Sequence, residues 1–195
     1  MAKTFLEKIQ QEFEVNKFRA RTRQAHDWYI QRLKNISNIN RNNILNDPLF
    51  NVSKKPTIGS LCMFFYEAKH AETLPYWDRF PVSFIVQPAE NGFYGINLHY
   101  LEPSVRALLL SRLYTVASNR RFDESTKITA SYEILKGTQK FRQFKPCFKR
   151  YLYDQVRSPY AIVPASEWAL SVFIPSEMFV GETKESVWKK SRDMI

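Results

Sequence analysis

The chain has 195 residues, 44% of them hydrophobic and 15% aromatic, enough to bury the core of one domain, so a wholly disordered protein is excluded. Five glycines and ten prolines, with no internal repeat and no low-complexity tract, exclude collagen-like, solenoid and linker-rich chains. A formal charge of +10 favours an anionic partner: nucleic acid, an acidic membrane surface or an acidic protein.

Residues 4–34 read as a long amphipathic helix. Phe5, Ile9, Phe13, Phe18, Ala25, Trp28 and Leu33 recur at near-helical spacing with no Pro or Gly between them. Lys17, Arg19, Arg21 and Arg23 form a basic stretch within it. A terminal helix of this length needs a surface for its apolar face. Phe5, Ile9, Phe13, Phe18 and Trp28 are therefore the candidate partner-binding face of an arm. Residues 35–57, rich in Asn, Ser, Lys and Pro, favour turns and read as the link between arm and body.

Three strands are expected next. Leu61 to Tyr66 is a short apolar run after Gly59, and Val82 to Val86 follows Pro81. The segment from Gly92 to Tyr100 follows the turn signal Asn91-Gly92. Alternation in the third strand puts Tyr94, Ile96, Leu98 and Tyr100 on one face, with Phe93, Gly95, Asn97 and His99 on the other. Gly95 signals a kink or a close backbone approach. Pro103 suits the first position of a helix whose apolar face holds Val105, Leu108, Leu109, Leu113 and Val116, with Arg106 and Arg112 towards solvent. A less regular stretch follows Asn119-Arg120-Arg121. Pro146 is read as opening another helix, with Phe148, Leu152 and Val156 as its buried side. Tyr160 to Pro164 and Trp168 to Pro175 read as strands, and Val187, Trp188 and Ile195 as anchors of a short terminal helix.

Charge is divided among these segments. Residues 104–157 hold twelve Lys/Arg against four Asp/Glu, whereas residues 58–103 hold two against five. A mildly acidic, strand-rich block is thus flanked by basic, helix-like regions. Cys62 and Cys147 lie far apart and make no zinc or redox spacing, so reduced, buried thiols are expected. No stretch approaches the roughly 20 apolar residues of a membrane span, and the N-terminus has no apolar leader, so a cytoplasmic protein without membrane contact is expected.

Candidate chemistry is sparse. Of three histidines, His26 lies on the arm, His70 in a charged loop, and only His99 in a patterned segment. A pairing of His99 with Asp78 suits general-base work, because a carboxylate orients and stabilises an imidazolium. A small hydrolase of this kind requires the two side chains to meet in a cleft beside a hydroxyl or thiol. The alternative is structural: Asp78 caps a turn, Arg79 pairs with a nearby carboxylate, and Tyr76 and Trp77 pack beside them. There is no Gly-x-Ser-x-Gly elbow, phosphate loop or carboxylate set for magnesium, and no cofactor or metal is expected. The structural reading is preferred.

Segment 136–151 is more suggestive. Lys136, Lys140, Arg142, Lys145, Lys149 and Arg150 interleave with Phe141, Phe144, Phe148 and Tyr151. With Arg120 and Arg121, these cations are candidate nucleic-acid contacts, neutralising phosphates while rings stack or pack inside. A basic helix with aromatics in the core gives the same pattern.

Four blocks carry a family resemblance: 74–81 (LPYWDRFP), 92–101 (GFYGINLHYL), 167–175 (EWALSVFIP) and 187–195 (VWKKSRDMI). Together with the Lys-, Arg- and Trp-bearing N-terminal helix, they resemble a family of small basic proteins of T-even-type tailed phages. The resemblance implies a role in virion assembly or in protecting packaged DNA ends. It supplies no catalytic residues.

The expected architecture is α+β: a long N-terminal helical arm and linker over 1–57, then a small SH3-like β-barrel body with inserted helices over 58–195. The expected function is non-enzymatic, in head or tail assembly or DNA-end protection, in the host cytoplasm and the virion. DNA, other virion proteins and further copies of the chain are the expected partners. A purely structural virion subunit binding acidic neighbours is the first alternative, and a regulator of host transcription or replication the second.

Overall fold

A computed structural model describes residues 40–48, 50–117, 119, 121–138, 142–164, 168 and 174–194. The expected arm over 4–34 lies outside them. The chain begins with a short helix α1 (Arg41–Leu45), started by Asn40, whose side chain accepts from the Asn42 and Asn43 amides. Strands β1 (Asn51–Ser53), β2 (Leu61–Met63), β3 (Trp77–Asp78), β4 (Val82–Ala89) and β5 (Gly92–Asn97) follow. Next come helices α2 (Pro103–Ala117) and α3 (Glu124–Thr138), then β6 (Phe148–Leu152), β7 (Tyr160–Val163), β8 (Phe179–Val180) and α4 (Lys184–Asp193).

Six strands form one antiparallel sheet in the order β1-β7-β2-β4-β5-β6, and β3 pairs with β8 in a separate ribbon. The expected barrel is corrected here: β1 and β6 are the two ends of the sheet's strand order, so it is open. Three of its five ladders, β7–β2, β2–β4 and β4–β5, join strands supplied by the predicted β segments, which is why the sheet was readable although its closure was not. Part of the stretch read as a linker is built in, since β1 pairs with β7 from Asn51 opposite Ile162 to Ser53 opposite Tyr160.

The period-2 rule explains how this sheet is buried on both sides. Leu61 and Met63 of β2, Val82, Phe84 and Val86 of β4, and Ile96 of β5 face the larger core, which α2, α3 and α4 cover with Leu109, Leu113, Leu135 and Val187. Cys62, Ile85, Phe93 and Tyr151 face a second core with Phe64, Tyr66 and Tyr160, where rings meet edge to face at about 5–6 Å. Both cysteines are free and buried. Burial pushes the Cys62 thiol up to about 11 and the Cys147 thiol to about 12, so neither is a thiolate at neutral pH.

Several local expectations need correction. β5 ends at Asn97, and residues 98–100 form a 3-10 turn opened by the Asn97 side chain, which accepts from the His99 amide. The "irregular" stretch contains α3, started by Asp123, whose carboxylate accepts from the Thr126 amide. Its Thr and Ser content hid the helical period. Pro146 lies inside a 3-10 turn (Arg142–Cys147) and leads into β6, not a helix. Pro103 does open α2. Arg106, expected in solvent, is 1% exposed, for a reason given below. Of the strand expected over 168–175, residues 169–173 lie outside the described residues.

The β4–β5 hairpin turns through Glu90 and Asn91, with Ala89 opposite Gly92 and Asn91 at φ 54°, a conformation Asn tolerates. Gly92 and Gly95 permit close strand approach: a Cβ on Gly92 would lie 1.9 Å from the Tyr151 carbonyl oxygen, and one on Gly95 2.3 Å from Ser83 Oγ. Gly92→Ala is therefore expected to force β5 and β6 apart and to cost about 1–3 kcal/mol in a urea titration. An unchanged midpoint would show that the strands accommodate the methyl group.

Candidate functional site

The two expected marker segments, 74–81 and 92–101, meet the tail in a buried polar network. Asp78 sits at the end of β3, where both its oxygens are occupied. Oδ1 accepts from the Phe80 amide at 3.0 Å and the Met178 amide at 3.4 Å. Oδ2 accepts from Asn97 Nδ2 at 2.9 Å and from His99 Nδ1 at 2.7 Å. In that last contact a carboxylate oxygen accepts, so Nδ1 is the donor. The other ring nitrogen, Nε2, lies 3.1 Å from Ser176 Oγ.

Burial pushes the Asp78 carboxyl up, but the adjacent His99 ring and the hydrogen bonds from His99, Asn97 and Phe80 outweigh it and hold the group below the usual carboxylate range. Beside it, Arg106 donates from Nε to the Leu101 carbonyl at 2.7 Å and pairs through NH2 with Glu177 Oε1 at 2.6 Å. This pair, 2% and 4% exposed, is what buries the arginine expected in solvent. Arg41 of α1 donates to the carbonyls of Ser176 and Glu177, and Trp188 of α4 donates its indole N–H to the His99 carbonyl at 2.8 Å. Four separate stretches of chain, those of Arg41, Asp78, Arg106 and Trp188, thus converge on residues 176–177 and 97–99.

The aspartate–histidine–hydroxyl geometry that a hydrolase needs is met, with Ser176 as the hydroxyl. The hydroxyl does not open on a cleft: Ser176 is 0% exposed, and its carbonyl accepts from Arg41. The arrangement acts as a clamp, with Asp78 closing the 78–80 turn. Arg79 pairs with Glu67 at 3.3 Å on the surface.

A cleft of about 680 Å³ opens on the other side of Asp78. Tyr76, Trp77, Tyr100 and Tyr151 line it with Lys69, His70, Lys149 and Arg150, while Glu90 and Asp154 also border it. Lys149 places its ammonium 3.8 Å from the centre of the Tyr100 ring. Burial lowers its pKa, against the opposing influence of Cys147 and Asp78. Arg150 donates to the Glu90 carbonyl at 2.8 Å. Among the described residues the Trp77 indole N–H is buried without a hydrogen-bond partner, and the buried Tyr151 hydroxyl lies beside the Asn97 side chain.

Of the predicted cations, the structure brings Lys149 and Arg150 together at this cleft. Arg121 is exposed in the turn between α2 and α3, Lys136 near the end of α3, and Lys145 before β6. Arg120 and Lys140 lie outside the described residues, as does the side chain of Arg142. Among the predicted arm residues Phe5, Ile9, Phe13, Phe18 and Trp28, none is described. Sequence reasoning missed Arg41, Arg106, Ser176 and Glu177. The one usable signal was a lone arginine next to an apolar helix face, which only a buried carboxylate makes affordable.

No curated protein and no solved structure matches the chain. The family model described as phage T4 terminal DNA protecting protein matches residues 1–192. Nearly the whole chain is therefore covered, and the protein belongs to the phage T4 terminal DNA protecting protein family.

Proposed function

We propose that this protein is a non-enzymatic phage protein that binds the ends of phage DNA and protects them, in the host cytoplasm and in the virion during head and tail assembly. The family match over residues 1–192 carries the reading. The charge of +10 supports it, because each phosphate neutralised by a lysine or arginine releases condensed counterions. Arg121, Lys136, Lys145, Lys149 and Arg150, with Arg120, Lys140 and Arg142, are the proposed phosphate contacts. Such contacts position a protein on DNA without reading sequence, as a terminus of any sequence requires. Among the described residues no helix is long and apolar enough to cross a membrane.

The test is anisotropy with a labelled blunt-ended duplex across a salt series, run beside a nuclease-protection assay on linear DNA. Binding should weaken with salt, with a slope of about −0.9 per neutralised phosphate. Changing Lys145 and Arg150 to Ala should make that slope shallower by about 2. Absence of binding at low salt would discard the DNA reading and leave an assembly subunit whose cations face acidic neighbours.

A further inference from the structure

Resting on the DNA-end reading above, we propose that a groove between the turns that follow β1 and β6 takes unpaired nucleotides at a DNA end, with a base on Tyr153 and phosphates on Lys54 and Lys55. The groove measures about 510 Å³ and shares no lining residue with the cleft beside Asp78. Its position follows from the sheet. Ser53 at the end of β1 stands opposite Tyr160 of β7, so the chain leaves the sheet at Lys54 beside the Tyr160 ring. The turn is then fixed locally: Ser53 Oγ accepts from the Lys55 amide at 3.2 Å and donates to the Lys55 carbonyl at 2.9 Å. Further along, the Gly59 amide donates to the Ile85 carbonyl at 2.7 Å and ties the loop to β4. The opposite wall is held as firmly. The Tyr153 amide donates to the Asn91 carbonyl at 2.9 Å, the Arg157 amide to the Phe65 carbonyl at 2.8 Å, and Ser158 Oγ accepts from the Phe65 amide at 2.8 Å. Both backbones are therefore set before a ligand arrives, which lowers the ordering cost of binding.

The side chains on this frame fit that occupant. Tyr153 is 47% exposed, yet its ring centre lies 5.8 Å from that of the buried Phe93, which also packs on Tyr160 at 6.0 Å. It is an aromatic ring supported from beneath, with area left for a partner. Lys54 and Lys55 are exposed, and no ion pair among the described residues uses either of them. None of the residues lining the groove is acidic, and Asp154, next to Tyr153, borders the other cleft. Cations beside an exposed ring suit an unpaired strand: the ring stacks on any base face, and the ammonium groups neutralise phosphates. Carboxylates of an acidic protein would satisfy the lysines but not the ring. An intact duplex hides its base faces in the stack, so Tyr153 can reach one only at a terminus. Selection of an end thereby arises from a base face that an internal pair does not show.

Anisotropy with the full-length protein tests this on labelled duplexes that are blunt or carry an overhang of about four nucleotides, of either polarity, with a closed circular duplex as competitor. An overhang of at least one polarity should bind about tenfold more tightly than the blunt end. Tyr153→Ala should bring it down to the blunt level, whereas Tyr153→Phe, which keeps the ring, should retain the difference. Changing Lys54 and Lys55 together to Gln should make the salt slope for the overhang shallower by about 1.4, at about 0.7 per single-strand phosphate contact. All three side chains are exposed, so these variants leave the core intact. Equal binding of blunt and overhanging ends by the wild type overturns the groove, as does a preference that survives Tyr153→Ala. In either case the DNA-end reading stands if labelled ends still resist the circular competitor. Failure of every duplex to bind sinks that reading, and the groove with it.

Discussion

Glu177→Met is expected to destabilise the protein by about 3–5 kcal/mol, because it leaves the Arg106 guanidinium buried without its carboxylate. The two side chains are 2% and 4% exposed and meet at 2.6 Å, so solvent does not screen the loss as it would at a surface pair. Arg106→Met should cost a similar amount for the mirror-image reason, stranding Glu177. In Glu177 burial raises the carboxyl pKa, but Arg106 and His99 outweigh that and hold it below the ordinary glutamate range. The double variant, Arg106→Met with Glu177→Met, should be no worse than either single one, since two apolar side chains of matching length replace two charges. Urea denaturation of the four proteins gives the coupling. Additive costs in the double variant would show that the residues act separately and that the pair does not hold α2 to the tail.

That pair marks the boundary of what the sequence makes legible. Short apolar runs beside Gly and Pro signals identified the cores of β2, β4 and β7, and alternation that of β5, because a strand buried on both faces prints a run and not a period. Pro103 marked the start of α2 through a local rule that needs no tertiary knowledge. The 74–81 and 92–101 blocks, two of the four that carry the family resemblance, do come together through Asp78, Asn97 and His99. What stayed illegible was decided at long range. Arg106 has the spacing of a solvent-facing residue, and only Glu177, 71 positions on, makes its burial tolerable. Ser176 lies beyond any local pattern that would join it to His99, 77 residues away. The strand order, which inserts β7 between β1 and β2, likewise depends on pairings that no local signal encodes. Lys149 was picked out for its charge alone. Its distinguishing property, desolvation over the Tyr100 ring, belongs to the cleft and not to the segment.

Acid should loosen the protein through the same clamp, and the sign follows from the carboxyl groups. Asp78 and Glu177 are both held below their usual range in the native state, so each binds protons more weakly there than in the unfolded chain. The unfolded values are about 3.9 for Asp and 4.3 for Glu. Their contribution is complete above about pH 5 and disappears as pH falls through the native values below about 4. Asp78→Asn removes one of the two groups. An asparagine presents one N–H2 to a site surrounded by four donors, so it strands at least one of them. The expected cost at pH 7 is about 3 kcal/mol. More diagnostic is the profile: the urea midpoint of the wild type should fall steeply between pH 5 and pH 3, while that of Asp78→Asn starts lower and falls less. If the two curves run parallel, Asp78 takes no part in the acid transition. The loss would then lie with Glu177 and the surface carboxylates.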